Sequence, residues 1–149
     1  MIIRPAEEAD VPQILDLIEQ GTRESAFEGT YDRERATDYV RTHMHWDEAA
    51  AIVAIDDNEQ LAGGFIAIAS HEMWRERLCG LCKFWVLQRR SPVARSLVNH
   101  LIEFARDREC MSIYVSATAQ LARKEQKLFE NLLTRSGFNY AGAVMKRNM

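Results

Sequence analysis

The stretch Lys83–Cys110, KFWVLQRRSPVARSLVNHLIEFARDREC, concentrates the residues most able to bind a charged ligand. An apolar run stops at Arg89 and Arg90, meets Ser91-Pro92, and continues as an amphipathic pattern. Ser91 is a good helix cap, and Pro92 is favoured at a first helical position. Val93, Leu97, Leu101, Ile102 and Ala105 then recur at helical spacing. A helix therefore starts directly after a strand. Its terminus offers outward N–H groups and the positive end of a dipole, which together suit an anion. Arg89, Arg90 and Arg95 add positive charge within two turns. From these residues alone, a phosphate cradle and a solvated corner remain equally open.

Other reactive side chains point to less. Cys79 and Cys82 form a C-x-x-C within RLCGLCKFWVL, which reads as a strand. An offset of three in a strand places the two thiols on opposite faces, so they are expected to be packed apolar residues with no metal between them. A zinc site needs a second ligand pair, and His43 and His45 are the only suitably spaced candidates. Three cysteines, with Cys110, fit a reducing compartment better than a disulfide framework.

The elements that must position these groups follow from the pattern. IIRPA is a short strand. ADVPQILDLIEQGT is a helix that buries Val11, Ile14, Leu15 and Ile18, with Asp10 and Gln13 as its capping box and Gly21 as its stop. RERATDYVRTHMH is a second helix. AAIVAI and LAGGFIAIA flank the polar DDNEQ and make an antiparallel hairpin. SHEMWRER is a loop, LCGLCKFWVL a third strand and, after the helix opened by Pro92, MSIYVSA a further strand. LARKEQKLFENLLTRSGF is a helix with Leu121, Leu128, Phe129, Leu132 and Leu133 on one face, ended by Gly137, and FNYAGAVMKRN supplies a last strand or pair. The expected fold is α/β (α+β): one domain, residues 1–149, with a mixed, mostly antiparallel sheet flanked by helices.

The totals agree. A chain of 149 residues, 47% hydrophobic and 28% charged, suffices for one domain with a real core. A net charge of −3 argues against general nucleic-acid binding. No apolar run reaches membrane-spanning length, and the N-terminus lacks a signal-peptide pattern. A cytoplasmic protein is expected, with neither nucleic acid nor membrane as partner. Whether it forms a homodimer stays open.

The order of elements resembles the GNAT family of acyl-CoA-dependent N-acetyltransferases over nearly the whole chain. IIRPAEEADVPQILDLI is similar to that family's opening strand and helix, IVAIDDNEQLAGGFIAI to its hairpin, and RSGFNYAGAVMKR to its ending. ESAF and FWVLQRRSPVARSL resemble a branch common in bacteriophage genomes. The family signature Q/R-x-x-G-x-G/A, which wraps the pyrophosphate of coenzyme A, falls on Arg89–Ala94; Arg89 and Ala94 match, and Pro92 replaces the central glycine. The resemblance implies acetyl-CoA as co-substrate, no metal, and a cofactor site at Val86, Leu87, Gln88, Arg89, Arg90, Ser91, Pro92, Val93, Ala94 and Arg95, with Gln126 where the family often has an asparagine. It also implies strands that splay near Val86 and Val115 to open a cleft.

The departures bear on chemistry. Pro92 has no N–H to give a phosphate. Leu133 stands where the family often has a tyrosine that protonates the leaving thiolate. The strand that often carries a glutamate base has none here, and Lys83 is its only ionisable group apart from the cysteines. Replacement catalytic candidates are Glu24 and Glu72, with His71 behind them, for the amine's proton, and Tyr140 or Tyr114 as donor. Trp46 and Trp74 flank the acceptor side, as pocket lining or as caps on the core edge. Two functions follow: acetyl transfer from acetyl-CoA to an amine of a small molecule or protein, or an inactive acyl-CoA-binding or protein-interaction module on the same fold.

Overall fold

The computed structural model describes residues 1–24, 31–71, 77–87, 92–116 and 123–142. Five strands form one sheet in the order of the chain: β1 (Ile2–Pro5), β2 (Ala49–Ile55), β3 (Leu61–His71), β4 (Arg77–Val86) and β5 (Ser112–Val115). The first four pair antiparallel, and β5 lies parallel to β4. Among the described residues four α-helices accompany them: α1 (Val11–Glu24), α2 (Arg33–His45), α3 (Val93–Asp107) and α4 (Arg123–Arg135). The parallel step from β4 to β5 needs a crossover, and α3 supplies it.

Burial divides the helices between the two faces of the sheet. Val11, Ile14 and Leu15 of α1 and Val40 of α2 pack with Val53, Ile66 and Trp85. Val93, Leu97, Val98 and Leu101 of α3 and Phe129 and Leu133 of α4 pack with Phe65, Leu81 and Phe84 on the other side. Arg33 of α2 reaches Asp16 of α1 at 2.8 Å, and the Tyr31 hydroxyl donates to the Leu15 carbonyl at 3.1 Å. The hairpin turn is built by Asp56, whose carboxylate accepts the N–H groups of Asn58 and Gln60 at 2.8 and 3.0 Å.

The expected mixed sheet, its hairpin and the second helix are all present, but several local expectations are corrected. Asp10 does not cap with Gln13. It lies in a short 3₁₀ turn, Glu8–Asp10, and its carboxylate takes Arg4 at 2.7 Å and the Glu7 N–H at 2.8 Å. Gly21 does not stop α1, which runs on to Glu24, because a glycine in open space costs a helix only about 1 kcal/mol. Leu128 faces solvent, so the buried side of α4 is Phe129, Leu132 and Leu133; Leu121 lies outside the described residues. Gly137, at φ 91°, does end that helix. Residues 138–142 form no strand, and the rest of the expected terminal pair lies outside the described residues.

Candidate active site

Two glycines decide where α3 can begin. A Cβ on Gly63 would lie 2.8 Å from the Trp85 carbonyl and 3.1 Å from side-chain atoms of Val93 and Leu97. On Gly64 it would lie 2.6 Å from the Trp85 ring. Bare backbone at Gly63 therefore lets the first turns of α3 settle on β3, and at Gly64 it lets Trp85 lie across the opposite face. Gly-Gly inside a strand pattern is a signal of such close approach, and the sequence reading passed over it.

The helix start is where the pattern placed it, one residue later in detail. Val93 is the first helical residue, Pro92 precedes it with φ −63°, and the Ser96 N–H donates to the Pro92 carbonyl at 3.0 Å. The first turn thus comprises Val93, Ala94 and Arg95. Val93 is buried, Ala94 is half-buried and Arg95 is exposed. On the strand side, Val86 is half-buried and packs on the α3 core, while Leu87 is exposed and its N–H donates to the Ala62 carbonyl at 2.9 Å. Gln88, Arg89, Arg90 and Ser91 lie outside the described residues.

The parallel pairing of β4 with β5 runs from Leu78–Ser112 to Leu81–Val115 and stops. β4 continues to Val86, so among the described residues the edge from Cys82 to Val86 has no strand on that side. That stretch of β4 leads to the start of α3. A helix terminus at the end of a one-sided strand edge fits an elongated ligand with an anionic head.

A bulge lies just beyond the last β4–β5 pair. β3–β4 pairing passes from Ile66–Lys83 to Ala67–Leu81, leaving Cys82 as the extra residue of β4. Side-chain parity switches there: Cys79 and Leu81 face the α3 core, and so do Phe84 and Val86. Cys82 and Trp85 face the α1–α2 core. The two cysteines of C-x-x-C do point to opposite faces, and among the described residues no group of His, Cys, Asp or Glu is arranged to hold a metal ion. Burial pushes the Cys79 thiol up to about 12. Burial also raises Cys82, against a hydrogen bond from the Tyr39 hydroxyl of α2, and burial raises Tyr39 in turn. The Tyr39 ring lies tilted against His43 with ring centroids 4.0 Å apart, and the Trp46 ring meets His43 edge-on at 6.2 Å. Burial lowers the Lys83 ammonium.

The remaining candidates are scattered. Glu24 closes α1, with its side chain outside the description, and Glu72 and Trp74 lie outside the described residues. His71 ends β3 and is exposed. Tyr114 is exposed on β5, and Tyr140 follows α4 at 87% exposure. The Gln126 amide donates to Glu130 at 3.0 Å along α4. Leu133 is in the core, one turn from Phe129, whose ring stacks on Phe84 at 4.6 Å.

The sequence profile of the acetyltransferase (GNAT) family matches residues 14–133. The chain belongs to this family of N-acetyltransferases. No curated protein matches it in sequence. Its fold is similar to that of the apo aminoglycoside 6′-N-acetyltransferase AAC(6′)-Ig from Acinetobacter haemolyticus: 19% identity, 100% of this chain and 98% of that one, TM-score 0.73. It is similar to AAC(6′)-Iy, solved with the bisubstrate analogue CoA-S-monomethyl-acetylneamine, at 17% identity, 99% and 97% coverage and TM-score 0.70 or above, as the first is. A single-residue mutant of the BH1408 protein from Bacillus halodurans gives TM-score 0.77 at 14% identity, with 100% and 99% coverage. At these identities the likeness establishes the fold.

Proposed function

We propose that this GNAT protein transfers the acetyl group of acetyl-CoA to an amine of a small molecule or protein. The observation that carries the reading is the end of β4–β5 pairing at Leu81–Val115 among the described residues, with β4 running on to Val86 and α3 opening close behind it. The pyrophosphate is assigned to the first turn of α3. There Ala94 offers a backbone N–H group beside Val93, Pro92 offers none, and Arg89, Arg90, Ser91 and Arg95 complete the cradle with Gln88 and Leu87 at its edge. The acyl arm follows the β4 edge past Val86. The acceptor is assigned to the α1–α2 side, where Glu24 closes α1 and Trp46 follows α2.

A thioester is already activated, so holding a neutral amine against its carbonyl supplies much of the rate. The amine attacks the carbonyl carbon, the carbon–sulfur bond breaks, and the thiolate takes up a proton. Glu24 and Glu72 are assigned the amine's proton and Tyr140 the thiolate's. No step calls for a metal. A cytoplasmic setting belongs to the same proposal, supported by three free cysteines. So does the bacteriophage-type branch, supported by ESAF and FWVLQRRSPVARSL.

One observation favours the inactive-module reading. Leu133, where the family often has its tyrosine, is core, and packing rather than proton transfer accounts for it. Two measurements separate the readings. Calorimetric titration of coenzyme A tests the cradle: Arg89→Ala or Arg90→Ala should weaken binding about ten- to a hundredfold, since a charge-assisted contact contributes roughly 1.5–3 kcal/mol. Thiol release from acetyl-CoA across an amine panel tests transfer. Binding without release supports the module, and no binding by the parent protein ends both the transfer reading and the acyl-CoA-binding form of the module.

A further inference from the structure

Lys83 is unused by the mechanism above, and its placement is unusual. The bulge at Cys82 re-aims it: without the extra residue, Lys83 would share the α3 face with Cys79 and Leu81. With it, Lys83 pairs with Ile66 and takes the α1–α2 face, the side assigned to the acceptor amine. It stands two residues beyond Leu81, where β5 has stopped pairing. Three residues of strand, about 10 Å, separate it from Val86 and the approach to α3. The side chain is half-buried and makes no salt bridge among the described residues. The chain's other lysines, Lys124, Lys127 and Lys146, lie in α4 or follow it in sequence.

We propose that Lys83 is an acyl acceptor within its own chain: an acyl-CoA thioester lying along β4 beyond Leu81 acetylates its Nζ. The inference rests on the acetyl-CoA site proposed above. Only a neutral amine is a nucleophile, and burial favours that form over the ammonium, against a smaller opposing effect of the Cys82 thiolate. The Nζ lone pair forms a bond to the thioester carbonyl carbon, and the carbon–sulfur bond breaks. The nitrogen loses a proton, the departing thiolate gains one, and the products are an amide and coenzyme A. The modification removes a positive charge from the acceptor side and places an acetyl group there, so a modified chain is blocked to its external amine.

The test needs no identified acceptor. The full chain is incubated with acetyl-CoA alone, and acetylation is followed by intact mass and mapped by peptide mass spectrometry. Acetyl-CoA binding is measured on the same preparation by calorimetry. The expected result is a single acetyl group on Lys83, formed at a rate independent of protein concentration and suppressed by excess coenzyme A. It should be lost in Lys83→Arg, which keeps the charge, and in Lys83→Met, with circular dichroism confirming that either variant is folded. Four outcomes overturn the proposal: bound acetyl-CoA with no acetyl on Lys83, labelling of Lys83 no faster than of the other three lysines, equal labelling in urea, or a rate that rises with protein concentration. Absence of acetyl-CoA binding overturns the underlying site as well, and calorimetry tells that failure from the others.

Discussion

The Asp10 carboxylate sits between the Arg4 guanidinium and the Glu7 N–H and joins β1 to the entry of α1. Burial alone would raise its pKa; the hydrogen bonds to Arg4 and Glu7 overrule that and hold it below the usual carboxylate range. A carboxyl depressed in the fold stabilises fully above its unfolded value of about 3.9, and that contribution is lost as pH falls through the folded value. Asp10→Asn should therefore cost about 1–3 kcal/mol near neutrality, with the gap to the parent closing in acid; denaturant melts at several pH values measure it. The thiols give a second expectation. With Cys79 buried and pushed up to about 12, it should resist alkylation in the folded protein and react on unfolding, as thiol counts with and without urea would show. The sequence made Cys79 and Cys82 legible as a packed pair, because strand parity is local. It misassigned Asp10, because the partner that claims its carboxylate comes from a different element, and a spacing rule sees only neighbours.

At the scale of elements, the site depends on how closely α3 can approach β3. Gly63→Ala puts a Cβ against the Trp85 backbone carbonyl, which cannot swing away as a side chain would. Overpacking of this kind costs about 1–3 kcal/mol, and displacing the first turn of α3 should also weaken coenzyme A binding. Gly80→Ala is the matched control: it lies in β4 with nothing within 4 Å, so it should leave stability and binding nearly unchanged. Equal effects from the two substitutions would detach α3 placement from ligand affinity. The strand-to-helix corner was readable because a cap, a proline and an apolar stripe all occur within one window of sequence. The bulge at Cys82 was not, because it exists only in the register between β3 and β4. That register decides which side of the sheet Lys83 takes, so side-chain direction in the second half of β4 was beyond a reading by alternation.

For the whole molecule, the consequence of the proposed site is linkage between binding and unfolding. The proposed cradle needs β4, β5 and α3 assembled, since the ligand's course is set by where β5 stops pairing with β4 and the terminus by how α3 sits on the Gly-Gly pair. The unfolded chain has neither, so a ligand that uses both binds the native state alone. Coenzyme A at a hundred times its Kd should then stabilise the fold by about 2.7 kcal/mol. For a chain near 150 residues this is a rise in Tm of roughly 5–11 °C. The charge-assisted part of that gain is screened by salt, because Arg95 is exposed, so the shift should shrink as ionic strength rises. Arg89→Ala should reduce the shift at a fixed coenzyme A concentration while leaving the ligand-free Tm in place. Scanning calorimetry of parent and variant, with and without coenzyme A at low and high salt, measures all of these. A shift that survives Arg89→Ala, Arg90→Ala and high salt together would place the ligand's anionic head somewhere other than the start of α3.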